Sequence, residues 1–127
     1  MAMVAAELQS QLLTAGHDVD LVRPPLVLDR STAGDRFVGI DGQERVLRPG
    51  DMLMRDAAGI LSAVVYGPDQ RTRIGEGTRR ALFSVYAPAG IATAAVRDHL
   101  DELAGWVSLI APAATVRLLA IYPDPGR

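Results

Sequence analysis

The chain has 127 residues, 49% of them hydrophobic and 22% charged, and a formal net charge of −2 at pH 7. These totals suit one globular domain over residues 1–127 and argue against a disordered chain. The absence of cysteine and lysine removes disulfides, thiol nucleophiles and Schiff-base chemistry, and the acidic balance argues against a whole-domain grip on nucleic acid while leaving a local basic patch open.

In chain order, residues 3–15 (MVAAELQSQLLTA) place Val4, Leu8 and Leu12 at helical spacing, with Gly16 as the stop. The N-terminus has no basic region before its apolar residues, and Glu7 and Gln9 interrupt it, so it does not read as a signal peptide. No apolar run approaches a membrane span, and a cytoplasmic location is expected. LVLDR after Arg23-Pro24-Pro25 is a short strand candidate. RFVGI and ERVL flank Asp41-Gly42, which favours a tight hairpin turn. DMLMRD follows the Pro49-Gly50 turn as another strand. ILSAVVY (60–66) and ALFSVYA (81–87) are the most apolar strands, joined by YGPDQRTRIGEGTRR with short pairing expected around Arg71–Ile74. Residues 91–110 repeat apolar positions at Val96, Leu100, Leu103, Val107 and Ile110, which predicts a helix, and TVRLLAIY (115–122) predicts a last strand. The order reads as α+β, with a mixed or barrel-like sheet between an N-terminal and a C-terminal helix.

Familiar chemical motifs are missing. There is no P-loop, no G-x-G-x-x-G opening a helix after a strand and no G-x-S-x-G elbow; no cofactor and no metal are expected from a chain with two histidines and no H-x-x-x-H pair. His17, between Gly16 and Asp18, reads either as a general base or as an exposed or capping histidine past a helix end. His99 reads as a surface or boundary residue of the last helix. Ser84, Asp18 and His17 assemble a triad on paper, with nothing in the spacing to fix its geometry. Leu82, Ser84 and Tyr86 share one strand face, and Ser62, Val64 and Tyr66 another; Tyr66, Ser84 and Tyr86 thus read either as cavity lining or as core and edge residues. Arg71 and Arg73 point the same way if extended, as a carboxylate or phosphate contact or as a solvated turn.

Asp18-Val19-Asp20, IDGQERVLRPGDMLMRDAAGI and RTRIGEGT, taken in this order, resemble the editing module of the bacterial phenylalanyl-tRNA synthetase β subunit, its tRNA-binding third-and-fourth domain, and free-standing copies of it. The likeness spans about residues 5–122. It implies a compact mixed sheet or barrel holding a small cavity, where the synthetase hydrolyses mischarged tyrosine from tRNA. The chain departs from the synthetase in three places: Ser84 stands where the synthetase strand carries a cavity glutamate, His17 lies two places after the position of its histidine, and the glycine-rich stretch after the central strand is reduced to Tyr66-Gly67-Pro68.

Three functions follow. The first is editing-like hydrolysis of an aminoacyl ester, with His17, Ser84 and Tyr66 catalytic and Tyr86, Arg71 and Arg73 binding substrate and the end of a tRNA. The second is a cavity repurposed for cyclisation or isomerisation of a small molecule by positioning alone. The third is a non-catalytic interaction module, a homodimer among its forms.

Overall fold

The computed structural model describes residues 12–122. Its strands in chain order are β1 (Leu13–Asp18), β2 (Val27–Arg30), β3 (Arg36–Val38), β4 (Glu44–Val46), β5 (Met52–Asp56), β6 (Gly59–Ala63), β7 (Gly67–Pro68) and β8 (Ala81–Tyr86), followed by helix α1 (Thr93–Ile110). A 3-10 turn at Val19–Leu21 follows β1, capped by the Asp18 side chain, which accepts from the Asp20 N–H. The fold is α+β. Among the described residues the strands form a four-stranded sheet of order β2-β5-β6-β7 and two pairs, β1-β8 and β3-β4. None of these sheets closes on itself, so the expected barrel-like core is corrected to several open antiparallel sheets.

The chain divides into two units, Ala15–Ser84 and the remainder, and it crosses between them inside β1 and inside β8. Within Ala15–Ser84 the core is built around β5 and β6. Phe37, Leu47, Leu53, Ile60 and Ala63 form its buried cluster, and Leu53 and Leu61 are wholly enclosed. Each such leucine contributes about 2–3 kcal/mol by leaving water. β6 (GILSA) buries four of its five residues because it lies between β5 and β7, with a strand on both sides. The hairpin read from Asp41-Gly42 is present: β3 and β4 pair antiparallel, Phe37 opposite Arg45, and Gly42 takes the positive φ of +81° that the turn needs.

Four local expectations change. The helix expected over 3–15 falls mostly outside the described residues, but Leu13–Ala15 begin β1, where β-branched Thr14 suits a strand and Gly16 disfavours a helix. β6 ends at Ala63, and Val64–Tyr66 form a turn, so Tyr66 does not share a strand face with Ser62. Short pairing falls at β7 and at the Gly39–Asp69 bridge rather than at Arg71–Ile74, because Arg71 and Thr72 make a turn. Residues 115–122 form no strand: β-branched residues become a strand only against a partner, and Val116, Leu118 and Tyr122 stand 63%, 80% and 83% exposed.

In the other unit, α1 carries the expected period. It ends at Ala111, whose N–H bonds to the Val107 carbonyl just before Pro112. Its buried stripe is Val96, His99 and Leu103, at the i, i+3, i+7 spacing of one helix face. His99 is therefore interior, 1% exposed, and not the surface residue expected; its Nε2 lies 2.7 Å from the Thr14 hydroxyl.

Candidate functional site

The three segments that carry the sequence likeness meet in the Ala15–Ser84 unit. Asp18 N–H donates to the Thr72 carbonyl at 2.7 Å and Val19 N–H to the Arg80 carbonyl at 2.9 Å, tying the DVD segment to RTRIGEGTRR. Thr78 Oγ1 donates to Asp18 Oδ2 at 2.9 Å, and Arg80 pairs with Asp20. From the β5–β6 turn, Asp56 accepts from the N–H groups of Arg23, Ala58 and Gly59 and from the Arg71 guanidinium at 2.8 Å. Its side chain is wholly buried. Burial works to raise the Asp56 carboxyl, but the Arg71 hydrogen bond, the Arg23 and Ala58 amides and the Arg71 charge outweigh it and hold the group below its ordinary value. Asp56 thus anchors the connector, and Arg71, which also donates to the Leu21 carbonyl, is committed to that anchor.

Above the anchor lies a chain of three buried polar side chains. Asp69 is set in place by its N–H bond to the Leu61 carbonyl (2.7 Å) and its bridge to Gly39. Its Oδ1 receives the Thr72 hydroxyl and the Thr72 N–H (3.2 Å), closing the turn at 69–72. The Thr72 hydroxyl in turn lies 2.8 Å from His17 Nδ1. His17 is 0% exposed, Thr72 0% and Asp69 2%. His17 Nδ1 is 3.8 Å from Asp69 Oδ1, and Arg71 Nε is 3.8 Å from Asp69 Oδ2. Four buried side-chain atoms of this unit end without a hydrogen-bond partner: His17 Nε2, Arg55 Nε, Asp69 Oδ2 and Ser84 Oγ. Buried polar atoms are rarely left so.

The residues singled out in the sequence therefore separate. His17 lies inside β1, neither exposed nor a helix cap, and holds the polar chain. Ser84 lies on β8, which pairs with β1, half-buried and with its hydroxyl unsatisfied. Tyr66 is 38% exposed, its ring under the Arg45 guanidinium at 5.5 Å, a cation–π contact at the surface. Arg73 is exposed. Tyr86 is 8% exposed and belongs to the other unit. Asp18 bonds to Thr78 and the Asp20 N–H rather than to His17, so the paper triad with Asp18 does not form. The carboxylate behind His17 is Asp69, through Thr72. Sequence reading passed over both. Thr72 lies inside the RTRIGEGT segment, but only the fold brings it 55 positions back to His17.

A model of the B3/4 domain family matches residues 5–104. The chain belongs to the B3/4 domain family. This B3/4 domain is 35% identical over 88 residues to the phenylalanine–tRNA ligase β subunit of Oleidesulfovibrio alaskensis, covering 67% of this chain and 11% of that one. It is 33% identical over 91 residues to that of Leifsonia xyli subsp. xyli, covering 70% of this chain and 11% of that one. The chain thus spans about a tenth of the curated relatives it matches. An N-terminal fragment of the phenylalanyl-tRNA synthetase β subunit from Pyrococcus horikoshii superposes with a TM-score of 0.71 over 84% of this chain and 38% of that one; at 15% identity this likeness concerns the fold. No helix among the described residues is long and apolar enough to cross a membrane.

Proposed function

We propose that this B3/4 domain binds an aminoacyl group and hydrolyses its ester to the 3′ end of a tRNA, with His17 as general base. The observation that carries the reading is the His17 ring: wholly buried, held through Nδ1 by Thr72 and Asp69, and without a partner at Nε2. An imidazole oriented through one nitrogen, with the other left to accept a proton, is the arrangement of a hydrolytic base. In the step itself a water oxygen adds to the ester carbonyl carbon as its proton passes to Nε2. The same proton then goes to the ribose oxygen as the acyl C–O bond breaks, giving a free amino acid and a free tRNA hydroxyl.

The Ser84 hydroxyl, unsatisfied on β8, supplies a second hydrogen-bonding group for the acyl end. Arg73, exposed, meets the phosphate side. Tyr66, 38% exposed, is the aromatic group proposed for the rim of the binding site. Family relatives that are phenylalanine–tRNA ligase β subunits support tRNA as the partner.

Ser84 in place of a strand carboxylate favours one other reading, a small-molecule cyclase or isomerase working by positioning. Release of amino acid from a broad panel of mischarged tRNAs decides between them. Wild-type release above background that falls to background in His17→Gln supports hydrolysis. No release by the wild type from any member of the panel overturns it.

A further inference from the structure

The order of donors along the buried chain fixes more than a position. Asp69 is a carboxylate acceptor, and the Thr72 hydroxyl spends its one proton on Asp69 Oδ1. At the oxygen facing His17, Thr72 can then only accept. The bond to His17 Nδ1 at 2.8 Å therefore requires the proton to be on Nδ1. A neutral imidazole has one N–H, so Nε2 carries the lone pair. Its burial without a partner leaves that lone pair available only to a group admitted to the site.

We infer that Thr72 is the positioning residue of the site: its hydroxyl relays the Asp69 carboxylate to His17 and selects the Nδ1–H tautomer, making Nε2 an acceptor for a hydrogen-bond donor such as water. The inference rests on the proposed role of His17 as base, and it names the device that sets that base. In the familiar hydrolytic arrangement the carboxylate touches the imidazole directly. Here His17 Nδ1 and Asp69 Oδ1 are 3.8 Å apart, too far for a direct bond, and the threonine hydroxyl bridges them. Backbone bonds hold Thr72 independently of this relay. Its carbonyl accepts from Asp18 N–H at 2.7 Å and its own N–H donates to Asp69 Oδ1 at 3.2 Å, so the side chain can be changed while the turn remains.

The test is nitrogen-15 NMR of the His17 ring in the full chain, with deacylation kinetics alongside. Wild type is expected to show a protonated Nδ1 and an unprotonated Nε2. Thr72→Ser, which keeps the hydroxyl, is expected to retain that tautomer and most of kcat. Thr72→Val, nearly the same shape without the hydroxyl, is expected to give a mixture of tautomers and a loss in kcat of about tenfold or more with KM little changed. An Nε2–H tautomer in the wild type overturns the inference, and that measurement needs no variant to fold. An unchanged tautomer in Thr72→Val overturns it equally. The ring resonances are read without substrate. An inactive protein with the Nδ1–H tautomer thus refutes hydrolysis and leaves the relay standing, whereas an active one with the other tautomer does the reverse.

Discussion

The two histidines of this chain are both interior and both face a threonine, yet they are wired in opposite senses. His99, 1% exposed on the inner stripe of α1, has Nε2 beside the Thr14 hydroxyl at 2.7 Å. His17, 0% exposed on β1, has Nδ1 beside the Thr72 hydroxyl at 2.8 Å, and that hydroxyl is backed by a buried carboxylate. The ring nitrogen farther from the backbone is occupied in one and left over in the other. Burial of a histidine thus distinguishes nothing by itself. The two rings differ in which nitrogen meets a threonine: Nε2 in His99, Nδ1 in His17.

The most direct way to break this contrast is to make the same change at both rings. His17→Gln is expected to lower deacylation by about 10²-fold or more, the usual worth of a general base, in a protein that still folds. His99→Gln is expected to keep turnover per folded molecule within about twofold. Equal losses of turnover in the two variants would erase the distinction. Next in size is the anchor beneath His17. Asp56→Ala removes an acceptor from three backbone amides and from Arg71, and a loss of about 3 kcal/mol in urea unfolding is expected.

The same carboxylate gives a pH signature. Its folded value lies below its ordinary one, so its stabilisation is complete above the ordinary carboxylate range and fades as pH falls through the folded value. Wild-type stability is expected to decline below about pH 4 more steeply than that of Asp56→Asn, measured by thermal unfolding across an acid series. A smaller change tests the other ring: Thr14→Val is expected to cost about 1–2 kcal/mol and leave the His17 resonances in place. Smallest is Arg73→Ala. At an exposed position it is expected to shift stability by less than about 0.5 kcal/mol and to raise KM for aminoacyl-tRNA in a salt-dependent way.

Much of the framework was legible before any coordinates. Asp41-Gly42 dictated its hairpin, the DMLMRD and ILSA strands are present, and the 3.6-residue period over 91–110 became α1. What escaped was decided by partners far along the chain. Leu13–Ala15 carry a helical apolar spacing but continue into Gly16 and pair as β1 with β8. TVRLLAIY has the composition of a strand and no partner strand among the described residues. At the site, His17 and Ser84 could be picked out by type, whereas Thr72 and Asp69 could not. A threonine in a glycine-rich connector and an aspartate after a proline look like turn residues, and both do make a turn. Only their burial and the approach of β1 show the relay. Arg71 reads from sequence as a ligand contact or a solvated turn, and its pairing with the buried Asp56 is set by the fold rather than by spacing.

The Asp56–Arg71 pair also constrains how descendants of this sequence can change. Arg71 is 38% exposed and can regain water if its partner disappears, whereas Asp56 is fully enclosed and cannot. Losing Arg71 first strands a buried negative charge; replacing Asp56 first by asparagine keeps an acceptor for the amides and sets the arginine free to drift. Lineages should therefore leave this arrangement in one order only, through position 56 and then through position 71, and intermediates holding Asp56 opposite a neutral residue 71 should be scarce.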